Sequence, residues 1–198
     1  MKRFALIAGG LLVTLAVLYG LFGHKGRELL ERTEYPLRYP AIVRGHARQY
    51  GLDPALLAAV IYSESRFRPH VRSKSGAIGL MQLLPSTAEG IATRTGGSAF
   101  VPADLDNPEI NVRYGAWYLR HLREHYKGLP DSTMLALAAY NAGMANVDSW
   151  VAKTRPGQPL QIPAAFSETR HYLDGIKHAR GVYRRLYPGE LGLSQKDP

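Results

Sequence analysis

No stretch between residues 40 and 187 alternates apolar and polar side chains with the β-branched content that a strand needs. Apolar residues recur there at helical spacing instead, which confines the region to an all-α fold. The same stretch carries its own starts and stops. Asp53-Pro54 and Asn107-Pro108 each join a capping side chain to a first-turn proline. Pro85-Ser86-Thr87 and Asp131-Ser132 open two further helices, while Gly51, Gly96-Gly97 and the run Pro156, Gly157, Pro159, Pro163 break the pattern. The spacing predicts helices over 41–50, 54–65, 85–95, 108–126, from 132 through Tyr140, 144–153 and 166–187. A loop is expected at 66–81, and fraying after Pro188. With 198 residues, 45% of them hydrophobic, the chain can bury the core such a domain requires.

The N-terminus has a different character. Lys2-Arg3 precede residues 4–23, which carry no charge. As a helix that segment is long enough to cross a ~30 Å hydrocarbon core. It ends in Leu18-Tyr19-Gly20-Leu21-Phe22-Gly23, without the small-x-small site of a cleaved signal. Residues 1–23 are therefore read as an uncleaved single-pass anchor, the alternative being secretion after signal cleavage. Residues 24–39, closing in Tyr35-Pro36 and Tyr39-Pro40, form a juxtamembrane spacer; 40–187 form the main domain and 188–198 a tail.

A net charge of +9 points to an anionic partner: nucleic acid, an acidic membrane surface or an acidic wall polymer. No helix-turn-helix and no basic-aromatic platform accompanies the charge, which argues against nucleic acid. There is no cysteine, so disulfides and thiolate metal sites are excluded. No metal or organic cofactor is expected.

The chemistry centres on Glu64-Ser65, which closes the almost wholly apolar helix 54–65. Helical spacing places Leu57, Val60, Ile61 and Glu64 on one stripe. A carboxylate among aliphatic side chains is costly to ionise, and its pKa rises. The negative end of the helix dipole pushes the same way. Glu64 is thus a candidate proton donor, the group that cleavage of a glycosidic bond requires. On this segment alone, a glutamate emerging into solvent is the more ordinary reading. Downstream, Gly76 and Gly79 let backbone approach a ligand closely. Gln82 offers a donor and an acceptor, and Met81 an adaptable apolar surface. Taken singly, Ser73 also reads as a turn residue and Met81 as core.

Together these residues form an ordered series: Glu64-Ser65, Ser73, Gly79-Leu80-Met81-Gln82 with Pro85-Ser86-Thr87-Ala88, Ala138-Ala139-Tyr140-Asn141-Ala142-Gly143, and Glu168-Thr169-Arg170 with Tyr172. Over residues 41–187 the series closely resembles the soluble-lytic-transglycosylase family of bacterial peptidoglycan-cleaving enzymes. It departs at Arg68, where an Asn is common, at Val71 for a usual Ala, and at Leu173 for a usual Val. The resemblance implies a lysozyme-like helical domain with a sugar-binding groove. Glu64 would be the single catalytic acid, later a base. Ser73, Met81 and Gln82 would contact the acetamido sugars, and Tyr140 and Asn141 would line the groove. Ser65, Glu168 and Tyr172 would support the site, with the Tyr172 hydroxyl near the catalytic carboxyl. Core packing with a satisfied hydroxyl is the other reading of Tyr140 and Tyr172.

Hydrolytic glycosidases usually use two carboxylates. None lies between Glu64 and Gln82, and Asp104, Asp106 and Glu109 sit where caps and first-turn acids are ordinary. That argues for substrate assistance. The resemblance supplies the reaction: non-hydrolytic cleavage of the β-1,4 bond between N-acetylmuramic acid and N-acetylglucosamine, leaving a 1,6-anhydromuramoyl end. A lysozyme-type hydrolase and a non-catalytic wall-binding module are the rival readings. The expected setting is a monomer on the outer side of the bacterial cytoplasmic membrane, acting on peptidoglycan glycan strands and tethered through residues 4–23.

Overall fold

The computed structural model describes residues 23, 25–97, 99–155, 158 and 160–193. Except for Gly23, the apolar segment 4–23 lies outside them, and the expected span with it. Among the described residues no helix is long and apolar enough to cross a membrane. The chain divides into two units, Met1–Pro36 and Leu37–Pro198, a division that falls inside the stretch expected as a spacer. In the first unit residues 25–34 are helical, with a Glu28–Arg32 pair at 3.1 Å on an exposed surface.

The second unit is helical: α1 Pro40–Tyr50, α2 Pro54–Ser65, α3 Pro85–Thr95, α4 Pro108–His125, α5 Ser132–Ala142, α6 Met144–Lys153, α7 Ser167–Leu186 and α8 Pro188–Leu191, with 3-10 turns at Pro102–Asp106 and Ala164–Phe166. Cap chemistry explains the boundaries. The Asp53 carboxylate accepts from the Ala55 N–H at 2.9 Å, and Asn107 Oδ1 accepts from the Glu109 N–H at 2.9 Å. Gly51 and Gly96 end α1 and α3 in the left-handed conformation, at φ 60° and 80°.

Helix α2 departs from the striped arrangement that its spacing predicts. Every side chain from 55 to 61 is buried. A helix apolar on all sides belongs in the middle of a domain, not on its surface. It packs on α1 and α7, while α4 packs on α1, α3 and α5. α7 is amphipathic, burying Thr169, Leu173, Ile176, Ala179, Tyr183 and Leu186. It runs antiparallel to α2, because Asp53 at the start of α2 meets Arg180 (2.6 Å) and Glu64 near its end meets Tyr172 (2.7 Å). Tyr183 lies against Phe67 and Tyr62, with ring centroids 6.0 and 6.1 Å away.

A second cluster gathers Ile78, Leu83, Ala88, Ile91, Ala92, Leu105 and Tyr114 under the 66–84 segment. That segment holds only isolated bridges, Arg72 with Ile78 and Ile78 with Leu83. The expected fraying after Pro188 does not occur at once. Residues Pro188–Leu191 form a helical turn, Leu191 is buried, and Arg44 Nη1 donates to the Glu190 carbonyl at 2.6 Å.

Candidate active site

α2 ends in a tight reversal. Arg66 and Phe67 both adopt left-handed backbone, at φ 51° and 58°. Such conformations cost roughly 1–3 kcal/mol each for non-glycine residues and persist where packing enforces them; the fully buried Phe67 ring supplies that packing. The reversal leaves Glu64 in the last turn of α2. There the Tyr172 hydroxyl, from the start of α7, donates to Glu64 Oε1 at 2.7 Å. Burial pushes the Glu64 carboxyl up to about 7, against the opposing pull of the Tyr172 bond. At neutral pH both the protonated and the ionised forms are therefore accessible to it. Burial and the adjacent carboxylate hold the Tyr172 hydroxyl well above its ordinary pKa, so it stays a donor.

Four hydrogen bonds close a circuit around this carboxyl. Ser65, next to Glu64, donates to the Leu80 carbonyl at 2.8 Å. The neighbouring Met81 carbonyl accepts from the Tyr140 hydroxyl at 2.7 Å. Asn141, next to Tyr140, accepts at Oδ1 from the Thr169 hydroxyl at 2.8 Å. Thr169 lies one helical turn before Tyr172, which returns to Glu64. The ends of α2 and α5, the 79–82 turn and the start of α7 are thereby locked into one frame.

The remaining residues singled out in the sequence take different places. Met81, expected at the sugar, is fully buried, and its side chain packs against Gly115. What it presents at the site is its carbonyl. Both N–H bonds of Gln82 are spent on the Val71 and Gly79 carbonyls, each at 3.0 Å, so Oε1 is what it can offer a ligand. Ser73 accepts from the Ala77 N–H at 3.0 Å and shares a hydrogen with Ser75 at 2.8 Å, which shapes its loop. Glu168 is exposed on α7; its neighbour Thr169 makes the buried contact. Arg68 Nε donates to the Ser65 carbonyl at 3.0 Å, and the Arg66 guanidinium sits 5.5 Å over the Tyr62 ring.

Sequence reasoning gave Thr169, though part of a motif, no role of its own, and missed Asn111. Asn111 is completely buried and bonded to the 78–81 backbone. Its signal was a polar residue on the stripe 111, 115, 119, 122 of an otherwise apolar helix face, because buried polar groups must be paired.

The other acids raised from the sequence are engaged elsewhere. Asp104 accepts from the Val101 N–H at 3.0 Å. Asp106 binds Arg72 at 2.7 Å, and that bond holds its carboxyl below the usual range. Glu109 meets His46 at 2.7 Å. Among the described residues no group of three or more His, Asp or Glu could hold a metal ion. A cavity of about 630 Å³ is lined by apolar side chains such as Met134, Leu135, Val151 and Leu173; none of the circuit residues lines it. The arrangement offers one proton-bearing carboxyl and a hydrogen-bonding frame, the equipment for acid–base work on a ligand with exchangeable hydroxyls.

The family model "Transglycosylase SLT domain" matches residues 41–160. The chain is 31% identical over 170 residues to a membrane-bound lytic murein transglycosylase C of Salmonella arizonae, and 33% identical over 168 residues to the protein of that name from Serratia proteamaculans. Each alignment covers 75% of this chain and 47% of the relative, so the chain spans about half the length of the curated relatives it matches. Among solved structures, it is similar to an inactive glutamate-to-glutamine mutant of the lytic transglycosylase Slt from Pseudomonas aeruginosa, with a TM-score of 0.69 and 31% identity over 78% of this chain and 25% of that one. The 70 kDa soluble lytic transglycosylase of Escherichia coli gives a TM-score of 0.69 and 26% identity over 83% of this chain and 27% of that one.

Proposed function

The chain belongs to the transglycosylase SLT domain family, and on that footing we propose that it is a peptidoglycan lytic transglycosylase in which Glu64 acts alone, first as acid and then as base. The observation that carries the reading is the Glu64 carboxyl, raised to about 7 by burial and bonded to Tyr172. A group poised near neutrality can give a proton and take one back within a single turnover.

In the proposed reaction Glu64 donates its proton to the oxygen linking N-acetylmuramic acid to N-acetylglucosamine. The bond from muramoyl C1 to that oxygen breaks, and the N-acetylglucosamine side leaves with a free hydroxyl. The muramoyl acetamido oxygen stabilises C1, replacing the second carboxylate of an ordinary glycosidase. The Glu64 carboxylate then takes the proton of the C6 hydroxyl, whose oxygen bonds to C1. A 1,6-anhydro ring closes, Glu64 is protonated again, and no water enters the product. Gln82 Oε1 and Asn141 Nδ2 are the proposed contacts to sugar hydroxyl or acetamido groups. The inactive glutamate-to-glutamine mutant of the Pseudomonas aeruginosa enzyme accords with a reaction that hangs on one glutamate.

Residues 4–23 would tether the domain to the outer face of the cytoplasmic membrane and confine cutting to nearby wall. The name of the curated relatives, membrane-bound, supports association with a membrane. The deciding experiment is mass analysis of muropeptides released from purified peptidoglycan by the full chain. Anhydro ends, lighter by one water than hydrolysed ends, are expected. Hydrolysed ends would make it a lysozyme-type enzyme, and binding without release a wall-binding module.

A further inference from the structure

The site rests on a surface that none of its motifs contains. Asn111 lies in the first half of α4 and is 0% exposed. Its Oδ1 accepts from the Met81 N–H at 2.8 Å, and its Nδ2 donates to the Ile78 and Leu105 carbonyls, each at 2.9 Å. Both donors of the amide and its acceptor are thus committed to backbone. Only an asparagine-like side chain does this. Aspartate would set a carboxylate against two carbonyls, and leucine would take their side-chain partner from the Met81 N–H and the Leu105 carbonyl.

The surfaces match on both sides. Gly79, at φ 82°, passes so close that a Cβ there would collide with the Asn111 amide and the Leu105 carbonyl. One turn further along α4, a Cβ on Gly115 would collide with the Met81 side chain. A further turn on, Tyr118 lies against Tyr140, with ring centroids 5.6 Å apart. Residues 111, 115 and 118 share one helix face. Each meets a member of the Leu80–Met81–Tyr140 arm of the circuit, or the glycine that leads into it.

We infer that the Asn111–Gly115–Tyr118 face of α4 is a positioning surface that sets the 79–82 turn against Glu64, so that Asn111 and Gly115 govern glycan affinity without touching glycan. The inference rests on the proposed glycan-cleaving function. The turn carries Gln82, and its Leu80 and Met81 carbonyls receive Ser65 and Tyr140. If the bed shifts, the frame around Glu64 opens, while the carboxyl keeps its own partner on α7.

The test measures binding of the full chain to purified peptidoglycan sacculi in a Glu64→Gln background, where no cutting occurs. Asn111→Leu and Gly115→Ala are each added to it. Val43→Ala, a buried change on α1, serves as the control for stability. Both α4 variants are expected to weaken binding by about tenfold or more per folded molecule; the control is expected to lower Tm and leave affinity as in the parent. Gly115→Ala guards against Asn111→Leu failing to fold, since it removes no hydrogen-bonding group and alanine is a better helix former than glycine. With Glu64 intact, the Gly115→Ala variant should show a raised KM and a kcat near that of the parent. A merely structural defect would lower the active fraction and leave KM alone. Unchanged affinity and KM in Gly115→Ala would overturn the inference. A parent that binds no sacculi would sink the proposed function itself.

Discussion

The Tyr172 hydroxyl donates to Glu64 Oε1 at 2.7 Å, joining the start of α7 to the last turn of α2 across 108 residues of sequence. This bond favours the charged form of a carboxyl that burial holds near 7. The two effects oppose each other, and burial is the larger.

Replacing Tyr172 with Phe should therefore raise the Glu64 pKa further. In a pH profile of kcat/KM, the limb on which activity falls as the acid loses its proton should move to higher pH. The rate at the optimum should drop, while affinity for sacculi stays near that of the parent. An unmoved limb would reduce Tyr172 to a packing residue.

Glu64→Gln should abolish turnover and preserve glycan binding. It should also change stability in a pH-dependent way. The folded carboxyl titrates near 7 and an unfolded one near 4.5. Between those values the unfolded chain binds fewer protons than the native one, so stability falls as pH rises through that window. Above it, ionised Glu64 costs at most about 3 kcal/mol, less what solvent screening removes. Thermal melts should show the Gln variant more stable than the parent at pH 8 and the difference gone near pH 4. Equal melts at both pH values would contradict the buried acid.

Asp53 caps α2 and meets Arg180 at 2.6 Å and Arg184 at 3.6 Å. The cap is worth about 1 kcal/mol. The Arg180 side chain is nearly half exposed, so its pair with Asp53 is worth little. Urea unfolding should find Asp53→Ala clearly destabilising and Arg180→Ala within about 1 kcal/mol of the parent. A larger loss at Arg180 would show that the α2–α7 pair depends on the ionic contact and not on packing.

Leu57 is fully buried in the central helix, and Leu29 is 68% exposed. Leu57→Ala should cost about 2–5 kcal/mol, and Leu29→Ala no more than about 0.5 kcal/mol. Equal midpoints in denaturant would contradict the placement of α2 at the centre.

Much of this architecture was open to reading from local chemistry. Asp53-Pro54, Asn107-Pro108 and Pro85 begin helices where cap and proline rules put them, and Gly51 and Gly96 end them. The Glu64, Tyr140 and Tyr172 motifs could be recognised one by one. Their roles could not be ranked, because a side chain's type says nothing of what it faces. Met81 looked like a sugar contact and is core. Gln82 looked like a two-way hydrogen bonder and has given up both donors. Asn111 drew no notice, and Thr169 no role of its own, until partners far along the chain came to meet them.

Helix starts, stops and periodicity depend on interactions within a few residues, so composition and order along the chain decide them. The raised carboxyl at position 64 does not. It requires water to be shut out, by more than the opposing hydrogen bond from Tyr172 takes back, and that follows only when α2 is buried against its neighbours. Proton affinity is a property of that enclosure, and enclosure exists only after the chain has packed.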